Sequence, residues 1–293
     1  MAGDFLLSHE AAIRGGAFAA ILAATAAAEL AAPRRPLTVG RGVRWPRNLS
    51  LVAIDALCLR FLFPLLAVQT ALIARENGWG LFTQLDLPAV AAIPLTVLAL
   101  DLVIYAQHRA FHAVPLLWRL HMVHHADLDI DVTTGGRFHP FEIILSMLLK
   151  MAVVLVLGGA AVGVILFEVL LNATTMFNHG NLSLPRAVDR LLRTVVVTPD
   201  MHRIHHSVRR EETNSNFGFN VPWWDRLFGT YRDQPQDGHM TMTIGLRQFL
   251  DKRRQSLGWM LMLPFVGTPG DYPRRSTGLL QTSPPPPAPS EPT

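Results

Sequence analysis

The sequence contains very little cysteine. Cys58 is the only cysteine among 293 residues, so the chain can form neither an intrachain disulfide nor a cysteine-based metal or iron–sulfur site. It also lacks a CxxCH motif for haem attachment and a dinucleotide-binding glycine fingerprint. The net charge of +4 comes with no nucleic-acid recognition motif. These absences argue against nucleic acid as a partner and against a redox cofactor of these kinds.

Charged residues are also scarce, at 16%, whereas hydrophobic residues make up 50% of the chain and are concentrated in long runs. A helix needs about 20 apolar residues to cross a bilayer. Four stretches approach or exceed this length, at 11–32, 51–73, 87–105 and 143–177. The fourth is too long for one span, and Gly158-Gly159 near its middle predicts a helical hairpin. We therefore expect an all-α integral membrane protein with about four transmembrane helices.

Basic residues predict the orientation of these helices, because loops rich in lysine and arginine stay in the cytoplasm. The loop between the first two stretches carries five arginines, at positions 34, 35, 41, 44 and 47, whereas the next loop carries only Arg75. The first loop should therefore be cytoplasmic. The third helix then returns to that side, and so does the chain after the hairpin.

Nine of the twelve histidines fall into four tight groups. These are His108 and His112, then His121, His124 and His125, then His179 alone, then His202, His205 and His206. Residues three and four apart lie on one face of a helix, so each multiple group should project its imidazoles in one direction. Together with the predicted orientation, this indicates a histidine-rich helical cap at the cytoplasmic membrane boundary, flanked by the third and fourth apolar regions.

Nine imidazoles exceed the four ligands of a tetrahedral zinc site and suit two metal ions. Nitrogen ligands are compatible with iron, copper, nickel and zinc. The lack of thiolates and the small number of carboxylate ligands favour iron used for dioxygen chemistry, although the ligand type leaves zinc open. Isolated histidines such as His9 and His239 are expected to have no metal role.

Acidic residues near the histidines are candidates to orient the imidazole rings. Asp101 and Tyr105 precede His108 and His112 at helical spacing, so the four form one polar stripe. Asp101 could accept a proton from a histidine ring of this helix. The other candidate acids are Asp127, Glu142, Asp200 and Asp225. For each of them a solvated or helix-capping role is the alternative.

The histidine groups and their flanks also resemble a known family. The segments are HRAFH at 108–112, HMVHH at 121–125, NHGN at 178–181 and HRIHH at 202–206, with RFHPFE at 137–142, NFG at 216–218 and WDRLFGTY at 224–231. They resemble the histidine boxes and connecting elements of the fatty acid hydroxylase superfamily, which includes sterol desaturases, sterol methyl oxidases and sphingolipid hydroxylases. The resemblance covers about 101–231.

The resemblance implies a membrane-bound non-haem di-iron oxygenase. Such an enzyme hydroxylates or desaturates a lipid using dioxygen and two electrons, and here a separate redox partner would supply the electrons. An apolar substrate would enter from the membrane lipids. The implied iron ligands are His108, His112, His121, His124, His125, His179, His202, His205 and His206. His139 lies in a matching element and, like Asp101, Tyr105, Asp200 and Asp225, is a candidate supporting or substrate-side residue.

Two other functions remain open at this point, a membrane metal transporter or store and a catalytically inactive lipid-binding relative. The substrate could be sterol-like, fatty acyl or another apolar lipid. We expect N-terminal membrane helices and loops in 1–86 and the histidine-box core in 87–249. We expect a possible interfacial segment in 250–267 and a disordered proline-rich tail in 268–293.

Overall fold

The structure is a computed structural model that describes residues 2–252 and 255–273. The described residues form fifteen α-helices, two short 3₁₀ helices at Thr134–Gly136 and Arg247–Phe249, and no extended sheet. The α-helices are α1 (Ala2–Ser8), α2 (Glu10–Ala31), α3 (Arg41–Leu62), α4 (Ala67–Glu76), α5 (Leu81–Gln84), α6 (Ala89–Ala113), α7 (Pro115–His125), α8 (Pro140–Leu157), α9 (Ala161–Asn178), α10 (Arg186–Leu192), α11 (Pro199–His205), α12 (Arg210–Thr213), α13 (Trp223–Leu227), α14 (Gly238–Thr241) and α15 (Leu257–Val266).

Five helical segments in the described part of the chain are long and apolar enough to cross a membrane. They are Glu10–Ala31, Arg41–Gln84, Ala89–Ala113, Pro140–Leu157 and Ala161–Asn178. The expected all-α architecture with membrane-spanning helices and a histidine site is therefore confirmed. The number of candidate membrane-spanning helices rises from about four to five because the fourth apolar stretch forms two helices, α8 and α9.

The second apolar stretch differs from its prediction. A single helix was expected over 51–73, but α3 already begins at Arg41 and the helix is interrupted at residues 63–66 before α4. Pro64 accounts for the break, because proline lacks an amide donor and disfavours a helical conformation at the preceding residue. Phe63 accordingly has an extended backbone, with φ −118° and ψ 109°.

A tight turn at Gly158 joins α8 and α9 into the expected hairpin. Gly158 has φ +63°, a left-handed conformation that favours glycine. A Cβ atom there would lie 2.6 Å from the carbonyl oxygen of Trp79, so the turn also needs the absence of a side chain. Lys150 Nζ on α8 lies 2.6 Å from Glu168 Oε1 on α9. This buried ion pair links the two arms of the hairpin.

The packing of the helices brings the histidine-bearing ends together. α6 packs against α9, α7 and α8, and α9 also packs against α2. On the far side of α7, α15 contributes Met260 and Leu263 to a buried cluster with Trp118 and Met122. The predicted interfacial segment thus contains a helix that covers α7. Residues 274–293 of the predicted tail lie outside the described residues, and the division into domains stays a prediction.

Candidate metal centre

All nine grouped histidines converge in one buried region, although they come from four separate segments. Each is 3% exposed or less. Among the described residues they form two clusters in which one nitrogen per ring lies within 4.8 Å of every other. The five-histidine cluster contains His108, His112, His121, His125 and His205, and the four-histidine cluster contains His124, His179, His202 and His206.

Helix ends supply these side chains. His112 lies in the last turn of α6 and His108 lies one turn earlier. α7 begins two residues after α6 ends, at Pro115, a residue that favours the first position of a helix. His179 lies directly after α9. The fourth group begins on α11 and ends directly after it at His206, and Thr198 caps this helix by accepting a hydrogen bond from the Met201 amide.

The two HxxHH segments divide their histidines in a common pattern. In α7, His121 and His125 join the five-histidine cluster, whereas His124 joins the other. In α11, His202 and His206 share the four-histidine cluster, whereas His205 crosses to the first. In each segment the residues four apart stay together and the middle one serves the neighbouring cluster. Each helix therefore bridges the two clusters.

Four of the rings are fixed by hydrogen bonds between Nδ1 and an oxygen atom. His108 donates to the Phe217 carbonyl at 2.8 Å, His205 to the Ser215 carbonyl at 2.7 Å and His179 to the Thr175 carbonyl at 2.7 Å. His121 Nδ1 forms a hydrogen bond with Glu142 Oε1 at 2.7 Å. Because a carbonyl oxygen can only accept, the proton of each carbonyl-bound ring is on Nδ1. This leaves the Nε2 lone pair free.

The Nε2 atoms of these rings lie close to Nε2 atoms of neighbouring rings. His108 Nε2 lies 3.0 Å from Nε2 of both His121 and His205. His179 Nε2 lies 3.1 Å from His124 Nε2 and 3.2 Å from His202 Nε2. Two metal–nitrogen bonds of about 2.1 Å meeting at a right angle would place nitrogens about 3.0 Å apart. The spacing thus fits nitrogens that share a cation.

Other ring nitrogens lack any partner although they are buried. Both nitrogens of His112, His125 and His206 are buried without a hydrogen bond. Buried polar atoms are nearly always paired, so three such rings in one place indicate a missing ligand. The donor set is entirely imidazole and fits a transition-metal ion such as iron or zinc.

Burial also determines the charge of the rings outside the membrane helices. It lowers the pKa of His121 to about 3 and that of His179 to about 4. Burial, followed by repulsion from neighbouring histidines, lowers the pKa of His124, His125, His202, His205 and His206 well below the usual histidine value. These imidazoles are therefore neutral near pH 7, the state in which they bind metals.

Asp225 supports the loop that anchors the five-histidine cluster. Its Oδ1 accepts from the Phe217 amide and its Oδ2 from the Gly218 amide, both at 2.8 Å. A Cβ atom on Gly218 would lie 2.9 Å from this carboxylate, so the close approach needs glycine. Since the Phe217 carbonyl accepts from His108, Asp225 positions this histidine through the backbone.

Asp101 and Tyr105 contact the same region but not the histidines. Asp101 Oδ2 accepts from Trp224 Nε1 at 2.7 Å, which differs from the expected bond to an imidazole. The Tyr105 hydroxyl lies 2.8 Å from Thr230 Oγ1. Asp101 and Tyr105 lie two turns and one turn before His108 on α6. At that level their side chains contact the segment 224–230. They tie this segment to α6.

Asp200 and His139 lie away from both clusters. Asp200 pairs with Arg34 and Arg203. Burial alone would raise the pKa of Asp200, but these two cations outweigh it and hold the pKa below the usual aspartate value. His139 Nε2 donates to the Leu261 carbonyl at 3.2 Å, and its Nδ1 accepts from the Phe141 amide at the start of α8. Neither side chain belongs to the metal centre.

Sequence reasoning did not single out several groups that hold the centre. The Phe217, Ser215 and Thr175 carbonyls fix ring orientations, but a backbone acceptor leaves no residue-type signature. Phe138 stacks on His124 with ring centroids 4.6 Å apart and planes at 8°. Its position in the RFHPFE match was the one available signal.

A cavity of about 360 Å³ opens beside the five-histidine cluster. His108 and His121 line one end together with Glu142, and apolar residues such as Phe111, Phe138 and Met176 line its walls. The cavity extends between the membrane helices. It can therefore bring a ligand to the histidines from the apolar part of the molecule.

Comparison with known proteins agrees with this geometry. Residues 93–230 match the family model described as fatty acid hydroxylase. This range includes all nine histidines of the two clusters. No solved structure matches the chain significantly.

Among curated proteins, ornithine lipid hydroxylase OlsE of Rhizobium tropici is 31% identical over 153 residues, which cover 51% of this chain and 44% of that protein. Human alkylglycerol monooxygenase is 26% identical over 139 residues, covering 46% and 29%. Very-long-chain aldehyde decarbonylase GL1-6 of Oryza sativa subsp. indica is 27% identical over 135 residues, covering 43% and 20%. The chain thus spans less than half the length of these relatives.

Proposed function

Because residues 93–230 match the family model described as fatty acid hydroxylase, we propose that this chain is a membrane-bound non-haem di-iron oxygenase. It hydroxylates or desaturates a lipid with dioxygen and two electrons from an external donor. The relatives are named for lipid hydroxylation, alkylglycerol oxygenation and aldehyde decarbonylation, which supports a lipid substrate and an oxidative reaction.

The observation that carries the proposal is the pair of histidine clusters at the end of a cavity between membrane helices. In this assignment His108, His112, His121, His125 and His205 hold one iron, and His124, His179, His202 and His206 hold the second. Breaking an unactivated C–H bond needs an oxidant that protein side chains cannot form, and two bound irons would supply it.

The residues around the clusters hold the rings and shield the site. The Phe217, Ser215 and Thr175 carbonyls keep the proton of His108, His205 and His179 on Nδ1, so that Nε2 is available as a donor. The Phe111, Phe138 and Met176 side chains limit water at the metal end of the cavity. An apolar chain placed between them would lie next to His108 and His121.

We further propose that the centre faces the cytoplasm, where a reduced electron carrier can reach it. The excess of arginines between the first two membrane helices supports this orientation. Arg34 of this loop lines a groove together with Arg186, Arg190, Arg193 and Arg226, and these five arginines outnumber the three aspartates of the lining, Asp189, Asp200 and Asp233. A basic groove of this kind would attract an acidic partner.

Iron content and product formation test the function together. The purified chain should hold about two irons, and lipid from cells that express it should gain one oxygen, or lose two hydrogens, only under air. His124→Ala should lower iron content and product together, while the protein still inserts into the membrane. His9→Ala, a change to an exposed histidine outside the clusters, is the matched control.

The alternatives give different results in the same experiment. A metal transporter or store would hold metal and move it into proteoliposomes without an oxygen-dependent product. An inactive lipid-binding relative would form no product even with reductant and dioxygen. Full iron content in His124→Ala would contradict the ligand assignment.

A further inference from the structure

The cavity beside His108 and His121 is not uniformly apolar. It lies between α2, α3, α6, α8 and α9, and its α8 wall runs from Glu142 to Lys150. Eight residues of helix span about 12 Å, which is the approximate length of this wall. Polar side chains occur along its whole extent. These side chains determine which polar groups a bound lipid needs in order to pair with the cavity.

The end far from the histidines is internally paired. Glu168 Oε1 lies 2.6 Å from Lys150 Nζ, and Glu168 Oε2 lies 3.2 Å from an Arg14 nitrogen. Both cations therefore have a carboxylate partner. This end needs no ligand to neutralise its charges.

Asp55 presents the opposite situation. Arg44, Asn48 and Asp55 are buried on the same face of α3, at spacings of four and seven residues. Arg44 and Asn48 are fully engaged with Asp127 and its neighbours. Asp55 is 7% exposed and lines the cavity, and its Oδ1 atom is buried without a hydrogen-bond partner.

Two further unpaired atoms line the same cavity, and both are acceptors. They are Gln107 Oε1 and Glu142 Oε2. Among the described residues that line the cavity, every buried side-chain atom without a hydrogen bond is thus an acceptor oxygen, and of these only Glu168 Oε2 has a charge partner. The lining holds three acidic side chains (Asp55, Glu142 and Glu168) and two basic ones (Arg14 and Lys150). A ligand that pairs with these oxygens must supply hydrogen-bond donors, and a positive charge on it would balance the excess of acidic side chains.

We propose, on the basis of the function proposed above, that the cavity binds a lipid bearing a primary ammonium group, with Asp55 as its counter-ion. An ammonium carries three donors and no acceptor, which matches three unpaired acceptor oxygens. A hydroxyl supplies one donor and no charge, and an anionic group would meet the unpaired carboxylate. An ionisable residue within a membrane-spanning helix is costly, and it is a functional-site candidate by default. Asp55 is therefore a specificity-determining residue for an aminolipid substrate.

Binding of matched amphiphiles tests this assignment without turnover. The full chain in nonionic detergent is titrated anaerobically with hexadecylammonium, hexadecanol and hexadecyl sulfate, and binding is followed by displacement of a fluorescent lipid. Hexadecylammonium should bind at least about tenfold more tightly than the other two, since a buried charge left unpaired is strongly unfavourable. Asp55→Asn should reduce this preference to about twofold or less, whereas Asp55→Glu should retain it. Asp86→Asn, the same change at an exposed loop position, should behave as the wild type.

Equal binding of the three amphiphiles to the wild type, or a preference that survives in Asp55→Asn, would overturn the assignment. The wild-type comparison decides even if Asp55→Asn fails to fold. Failure of the proposed oxygenase is a separate result, read from iron content and oxygen-dependent product. A protein with iron and product but no ammonium preference contradicts only the aminolipid site. An ammonium preference without iron contradicts only the oxygenase.

Discussion

The guanidinium of Arg44 is buried against the carboxylate of Asp127, with Nη2 2.7 Å from Oδ2 and both side chains fully inaccessible to solvent. Arg44 also pairs with Asp131 and donates to Thr134 Oγ1. Asp127 follows the second histidine group by two residues. Arg44 thus connects the start of α3 to the loop that leaves the metal centre.

Replacement of Arg44 by methionine should strongly destabilise the fold. The substitution retains most of the side-chain volume but leaves Asp127 and Asp131 buried without their cation, which costs about 3–5 kcal/mol. The unfolding temperature in detergent should fall, as measured by size-exclusion chromatography after heating. Arg60→Met, at an exposed position of the same helix, should leave it nearly unchanged. Equal unfolding temperatures of the two variants would contradict the structural role of Arg44.

Arg44 also shows where sequence reasoning stops. It was interpreted as one of five arginines in a cytoplasmic loop, but it lies inside α3 and pairs with a residue 83 positions away. Apolar run length predicted the membrane helices, because spanning a bilayer is a local requirement. An ion pair between distant segments depends on how the helices pack, and neither Arg44 nor Asp127 carries a local signal of it.

The histidines illustrate the same limit within the site. Helical spacing predicted that each group projects in one direction, and the structure gathers all nine in one region. His124 and His205 each belong to a different cluster from the other two histidines of their own segment. The sequence does not predict this division, because it depends on the rotation of α7 and α11 about their axes. Asp101 was assigned to a histidine for its spacing, yet Trp224 from a distant segment is its partner.

Ferrous iron should stabilise the protein against heat. A metal ion that binds only the folded chain adds roughly 2.7 kcal/mol to the free energy of unfolding when its free concentration is about 100 times its Kd. Iron should bind the folded chain selectively, because only the folded chain holds Nε2 of His108 and Nε2 of His121 close together. Anaerobic thermal unfolding with and without Fe²⁺ measures the effect. Mg²⁺ at the same concentration is the control, since it prefers oxygen ligands. Identical shifts with both ions would contradict a histidine metal centre.

The unequal sizes of the clusters predict unequal responses to the loss of one ligand. His112→Ala leaves four histidines in the five-histidine cluster, whereas His206→Ala leaves three in the other. A metal held by four nitrogens is still fully ligated, so His112→Ala should retain about two irons per chain and His206→Ala about one. The measurement is the number of irons per chain in each variant, taken after a weak chelator has bound loosely held iron and desalting has removed it. Equal losses would show that the ions do not divide the histidines as the two clusters suggest.

Replacement of Asp225 by asparagine should weaken metal binding without touching a histidine. The carboxylate accepts from the Phe217 and Gly218 amides, and asparagine would turn an NH₂ group toward one of these donors. The loop would then shift, and the Phe217 carbonyl would no longer hold His108 Nδ1 in place. Loss of such an orienting partner typically lowers metal affinity 10- to 100-fold. Chelator competition measures this affinity directly.

Asp237→Asn provides the matched control, because Asp237 is a solvent-exposed carboxylate whose hydrogen bonds go to Arg209 at the surface. Its metal affinity should equal that of the wild type. A merely structural role of Asp225 would lower the unfolding temperature of the metal-free protein and leave the affinity of the folded fraction unchanged. A positioning role lowers that affinity even at temperatures where the variant is fully folded, because the ring of His108 then spends less time in the orientation that the metal requires.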